Sequence, residues 1–152
     1  MRAYAAPLSS AGWILAHAGH RAQAVTATIA FGPTTTLLIG PRQRPTQVLD
    51  MHTGGGTSTF IPAVKLADHL LGLRRTCTLR LLAVVSDGDL DELEPAQRLI
   101  TTLHRAGCPV LWLHPAGMAG HTFTHTTTIA VADPVEAITR ISDAAIAAIA
   151  NA

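Results

Sequence analysis

Two loops hold the side chains best suited to chemistry. The first is residues 53–59, TGGGTST, directly ahead of an apolar helical stretch. Its glycines allow tight or positive-φ backbone. Thr57 places a hydroxyl at the turn, and Ser58 or Thr59 can cap the helix. A glycine-rich loop opening a helix can also cradle an anion, because the first backbone N–H groups have no partner inside the helix. It is not a nucleotide P-loop: no Gly-Lys-Ser/Thr follows, and no G-x-G-x-x-G stands after a leading strand. The second loop begins with residues 86–89, SDGD, at the end of an apolar run. A carboxylate there faces the carboxyl edge of a sheet. Hard divalent cations such as Mg²⁺ take carboxylate, hydroxyl and water oxygens. Thr57 and Asp87 are therefore the candidate metal ligands. Either loop alone also reads as an ordinary polar turn. Their order is more specific, with one helix between them and an apolar strand leading to the aspartate.

Other reactive groups read more plainly. His121 and His125 (HTFTH) stand four apart with His114 nearby, but the stretch is Thr-rich and has no Glu or Cys, so a solvated loop is expected. His17, His20, His69 and His104 fall on helical segments and are expected to face solvent. Asp89, Asp91, Glu92 and Glu94 read as acids favoured by the N-terminal end of a helix dipole. Cys77 and Cys108 sit beside apolar strands and are expected to be buried thiols, neither disulfide-bonded nor zinc-bound. No G-x-S-x-G elbow marks a serine hydrolase.

The elements that must position these groups follow from periodicity. Apolar residues at helical spacing predict a helix from Pro7 to about His20. Residues 24–31 (AVTATIAF) and 35–39 (TTLLI) predict a hairpin around Gly32-Pro33. Residues 40–50 are a polar surface connection. A helix is predicted over 60–73, with Lys65, Asp68, His69 and Gly72 on its polar stripe. Residues 79–86 (LRLLAVVS) read as a parallel strand covered on both faces. Residues 93–106 form an amphipathic helix with Leu93, Ala96, Ile100 and Leu103 inward, and Gly107 ends it. Strands over 109–114 and 127–131 follow, then a helix opened by Asp133-Pro134-Val135-Glu136. After the hairpin, strands and helices mostly alternate. That predicts an α/β fold with a Rossmann-like open, mostly parallel sheet flanked by helices. Ligands in such sheets bind at the carboxyl ends of the strands, where both chemical loops lie.

Composition narrows the class of protein. With 48% apolar and 14% charged residues, the chain can bury a large core and suits one domain. A formal charge of +1, with basic residues scattered along the sequence, gives no case for nucleic acid. No apolar run approaches the roughly 18 residues of a membrane span, and no secretory pattern opens the chain. A cytoplasmic location is expected.

The joint pattern resembles the von Willebrand factor A (VWA) family over nearly the whole chain. Gly55-Gly56-Thr57 looks like the family's GGT loop, LLAVVSDG at 81–88 like its strand ending in (T/S)DG, and ATIAFG like its strand ending in Phe. RLITTLHRAGCPVLWL looks like the helix and strand that follow. The resemblance implies that Thr57 and Asp87 belong to a metal-ion-dependent adhesion site (MIDAS) for Mg²⁺, or Mn²⁺ in its place. It implies a protein-interaction module rather than an enzyme, bridging a partner's carboxylate to the metal. An ATPase or chelatase-type complex is the partner class, with neither nucleic acid nor membrane expected. The family motif D-x-S-x-S is absent from these residues, and Ser9 and Ser10 lie inside the first helix. The expectation is one VWA-like domain over 1–152 whose first, central strand and D-x-S-x-S motif lie upstream of Met1. That strand would sit between the hairpin and residues 79–86, so its loss would leave two open strand edges. Two other readings stay open: an enzyme or binding protein that holds a phosphate-bearing ligand on the TGGGTST loop, and a metal-independent scaffold.

Overall fold

The computed structural model describes residues 2–44, 46–47, 56–76, 78–86, 89–118, 120–133, 139–140 and 142–147, with side chains from residue 9 onward. The elements are α1 (Arg2–Arg21), β1 (Thr28–Ala30), β2 (Thr36–Ile39), α2 (Phe60–Leu71), β3 (Leu82–Val85), α3 (Leu93–Arg105), β4 (Val110–Pro115) and β5 (Thr126–Val131). Residues 142–147 are helical. Asp87, Cys77 and most of the expected cap of the last helix lie outside the described residues. No helix among the described residues is long and apolar enough to cross a membrane.

The fold is mixed α/β, and its β-structure comes in two pieces. β3, β4 and β5 form a parallel sheet in that order, while β1 and β2 form a separate antiparallel hairpin. The hairpin register shifts between Thr28 and Ile29, a local bulge that adds twist. In the parallel sheet the Leu82 N–H donates to the Pro109 carbonyl and the Ser86 N–H to that of Leu113, both at 3.0 Å. Alternate residues of a parallel strand bond to opposite sides. Ala83 and Val85 therefore aim their amides at the other edge of β3, where no strand pairs among the described residues.

β4 explains why both faces must be covered. Its residues are almost all buried, and successive side chains point to opposite faces. Val110 and Trp112 enter a core with Phe60, Val64 and Ala67 of α2, Ala96, Ile100 and Leu103 of α3, and Leu90 and Phe123 from loops. Ile29 of β1 and the neighbouring Phe31 pack on the same core. Leu111 and Leu113 enter a second core with Ala11 of α1 and Ile129 and Val131 of β5. Helices thus lie on both faces of the parallel sheet. Phe31, Phe60, Trp112 and Phe123 form a chain of ring contacts with centroids 5.4, 5.7 and 4.9 Å apart. Such pairs add to area burial.

Several boundaries differ from the periodic pattern. α1 begins at Arg2 rather than Pro7. The Ala-rich start carries the helix one turn further, although Pro7 removes one backbone donor. α2 stops at Leu71, and Gly72 takes a left-handed φ of 65° as its cap instead of extending the polar stripe. Asp68 leaves that stripe to bind Arg74, 2.6 Å away. Gly107 has a φ of 73° just past α3, as its position predicts. Leu93, expected inward, is 38% exposed, because the buried face of α3 starts at Ala96. His17 is half-buried and stacks on Trp13 rather than facing solvent, with centroids 4.9 Å apart.

The strand expected from Leu79 begins only at Leu82, opposite Val110 where its partner β4 begins, and Arg80 ahead of it serves other partners. Its guanidinium donates to the carbonyls of Leu73 (3.1 Å), Thr78 (2.7 Å) and Ala106 (3.0 Å), with a longer contact to Gly107 (3.4 Å). One side chain thereby ties the exits of α2 and α3, where helix carbonyls lack partners and favour a cation. The Arg80→Ala variant should lose about 2 kcal/mol of stability in urea unfolding. Arg80→Lys should recover less than half of that, since it has no planar fork. A neutral Arg80→Ala variant would show that the clasp is dispensable.

Cys108 is fully buried and its thiol is free. Burial raises its pKa from 9.0 to about 11, with the Arg80 charge acting in the opposite direction. The folded protein therefore keeps this proton to higher pH than the unfolded chain. The associated stability is intact below pH 9.0 and disappears as pH rises towards about 11. In a Cys77→Ser background, the urea midpoint should fall over that range more steeply than in a matched Cys108→Ala variant. Equal slopes in the two proteins would remove Cys108 as the cause.

Candidate functional site

The two chemical loops meet. α2 is anchored by Phe60, only 3% exposed, which fixes the residues just before the helix. Leu90, 6% exposed, inserts into the same core and fixes the segment after β3. Between these anchors the Thr57 Oγ donates to the Asp89 carbonyl at 2.7 Å. The Thr57 N–H donates to Asp91 Oδ2 at 3.2 Å, and the Asp91 N–H returns a bond to Thr57 Oγ at 3.1 Å. Gly56 makes the approach possible. Its φ of 90° is one that L side chains rarely adopt, whereas a Cβ there would meet Asp91 Oδ2 only at an ordinary contact distance of 3.5 Å.

The rest of the loop holds the hairpin. Thr59 does not cap α2 through its side chain. Its Oγ1 instead donates to the Gly32 carbonyl at 3.0 Å and accepts the Gly32 N–H at 3.1 Å. The Thr59 N–H also reaches the Gly32 carbonyl, at 3.3 Å. Ser58 Oγ donates to that carbonyl at 3.4 Å, so neither hydroxyl is spent on the cap expected for it. Thr35 Oγ1 donates to the Thr59 carbonyl at 3.4 Å. The glycine-hydroxyl loop thus fastens the hairpin on one side and the segment after β3 on the other.

Of the two candidate ligands, Thr57 sits at this junction and Asp87 lies outside the described residues. Thr57 Oγ donates one bond and accepts one, which leaves a lone pair for a cation. Asp91 is the residue that the sequence reading placed elsewhere, as an acid at the start of α3. It precedes that helix and turns its carboxylate back to Thr57. The every-other spacing of Asp87, Asp89 and Asp91 around one turn was the available signal.

The histidines pair with rings instead of gathering. His104 stacks on His125 with centroids 4.3 Å apart, and His121 meets the edge of Phe123 at 4.7 Å. His114 Nδ1 lies 3.0 Å from the Pro115 carbonyl. Among the described residues no group of three or more His, Cys, Asp or Glu side chains could hold a metal ion.

Compared with protein-family models, with curated proteins and with solved structures, the chain matches none.

Thr59→Val keeps the shape and removes the hydroxyl. It should cost about 1–2 kcal/mol, because the part-buried Gly32 N–H loses its acceptor. The Gly32 amide should also exchange its hydrogen faster, while Thr59→Ser should restore most of the protection. Unchanged exchange at Gly32 in Thr59→Val would show that the tie is not what holds the hairpin.

Proposed function

We propose that the chain is a VWA-like interaction module that engages a partner protein's carboxylate through Mg²⁺, with Thr57 and Asp87 among the metal's oxygen ligands. The observation that carries this reading is the hydrogen-bonded meeting of the TGGGTST loop with the segment after β3, through Thr57, Asp89 and Asp91. The groups there are hydroxyl, carbonyl and carboxylate oxygens, the donors a hard cation takes. The lack of a ladder between the hairpin and β3 among the described residues also supports it, since the resemblance puts the family's central strand there. Bound metal would supply a fixed positive charge on which a partner's Asp or Glu completes the shell. We read the module as non-enzymatic and cytoplasmic, with an ATPase or chelatase-type complex as the partner class.

The phosphate-holding alternative is weakened by Asp91. The anion that the Thr57 amide receives is the chain's own carboxylate, and a phosphate placed there would meet that charge.

Mg²⁺ wants near-octahedral oxygen coordination, and Thr57 with Asp87 supplies only part of it. Binding by these residues alone should therefore be weak, in the millimolar range, and should tighten when acetate is added as a carboxylate probe. NMR titration with Mg²⁺, and line broadening by Mn²⁺, should single out the amides of Thr57, Asp87 and Asp91. Thr57→Ala and Asp87→Ala should each abolish the response. Amides that stay unmoved at millimolar metal would refute the site.

A further inference from the structure

Away from the Thr57 junction, the exit of α1 and the turn after β2 line an open surface cleft of about 760 Å³. Its lining includes Arg21, Arg42, Arg44, His17, His20 and Gln23, with Ala24 and Val25 as a small apolar wall, and no Asp or Glu among the described residues. We propose that it binds a small phosphorylated molecule carrying at least two anionic groups.

Three features carry the proposal. First, the charge is convergent. Arg21 and His20 could be explained by the negative end of α1, which favours cations. Arg42 and Arg44 come from a different segment, so that dipole does not account for them. Neither ion pair among the described residues involves any of the three guanidiniums. Like charges brought to one cleft repel each other, and an anion offsets that repulsion.

Second, the polar groups are held ready. The His17 ring stacks on Trp13 with centroids 4.9 Å apart, which fixes its place on the cleft wall. The carbonyls at the end of α1 are already occupied: those of Ala18, Gly19 and His20 accept the amides of Ala22, Ala24 and Gln23. They present no bare negative edge to an incoming anion.

Third, the backbone is strained at this place. Gln23 has a φ of 60° and Arg42 a φ of 65°, two of the three non-glycine residues with positive φ among the described residues. Both line the cleft. Such conformations persist when the surroundings demand them, and they cluster at ligand sites. The turn is braced by Gln43, whose Oε1 accepts the Gly40 N–H at 2.7 Å and whose own N–H reaches the Gly40 carbonyl at 3.1 Å. The volume falls in the usual range for small-molecule sites, roughly 300–1,000 Å³. Guanidinium groups bind phosphate oxygens in pairs, which favours this ligand class over a monovalent anion.

The test uses inorganic pyrophosphate as the probe. Calorimetric titration of the full chain at low salt should show saturable binding that fades at high salt. Arg42→Ala/Arg44→Ala should weaken it by about tenfold or more per guanidinium. Arg21→Gln, on the other segment, should weaken it independently of whether the double variant folds well. Pyrophosphate should also raise the melting temperature of the parent protein and raise that of the variants less. The proposal fails if pyrophosphate gives neither heat nor a melting shift, or if the variants bind it as the parent does. It fails equally if anionic vesicles or an oligonucleotide bind and pyrophosphate does not displace them, because the occupant would then be a surface or a polymer.

Discussion

The hydroxyls of Thr57 and Thr59 are the constraint on which the arrangement rests. The hairpin and the parallel sheet share no ladder among the described residues, so main-chain pairing cannot orient one against the other. Apolar contact through Ile29 and Phe31 brings them to a common core, but such contact is not directional. Direction comes from short side chains in the loop before α2. Thr59 takes both polar groups of Gly32, and Thr57 takes the backbone on either side of Leu90. Replacing a sheet ladder with a few hydroxyl bonds puts much of the geometry on a few atoms. Thr57, one of the two, is also a candidate metal ligand and stands two residues before the tie to the hairpin, so site shape and hairpin placement are linked.

How much could be read in advance depended on whether a residue's role was local. α2, α3, β4 and β5 follow from apolar periodicity, and Gly107 from its place at a helix exit, because those signals lie within one turn or one strand. Thr59 looked like a cap because it precedes a helix. Its real partner, Gly32, lies on the hairpin, and nothing in the local pattern names it. Arg80 looked like a residue of a strand, yet it serves two helix ends that meet only in the folded protein. Asp91 looked like a helix acid for the same reason. The TGGGTST and SDGDLD loops were legible as chemistry by composition; that Thr57 binds the second loop through Asp89 and Asp91 was not.

The basic cleft shows the limit of charge counting. With eleven Lys and Arg against ten Asp and Glu, the chain looks balanced and its cations look dispersed. Folding brings Arg42 and Arg44 beside Arg21 at the exit of α1, while Asp89, Asp91, Glu92 and Glu94 follow β3, so the charges of the two signs are not evenly mixed. A balanced sum does not describe the field near either group.

The second core has a consequence for the order of assembly. α1 precedes the other described elements in sequence, yet Ala11 finds its partners in Leu111, Leu113, Ile129 and Val131, about a hundred residues further on. During synthesis the helix has no sheet to cover. The hairpin and the β3–α3–β4 unit can form from neighbouring residues, since their contacts close short loops. Docking α1 on β4 and β5 therefore closes a long loop. Ala144, from the helical residues 142–147, packs on the same core, so segments far apart in sequence share the cover of one face of β4, and without that cover the face stands open to water and to other chains.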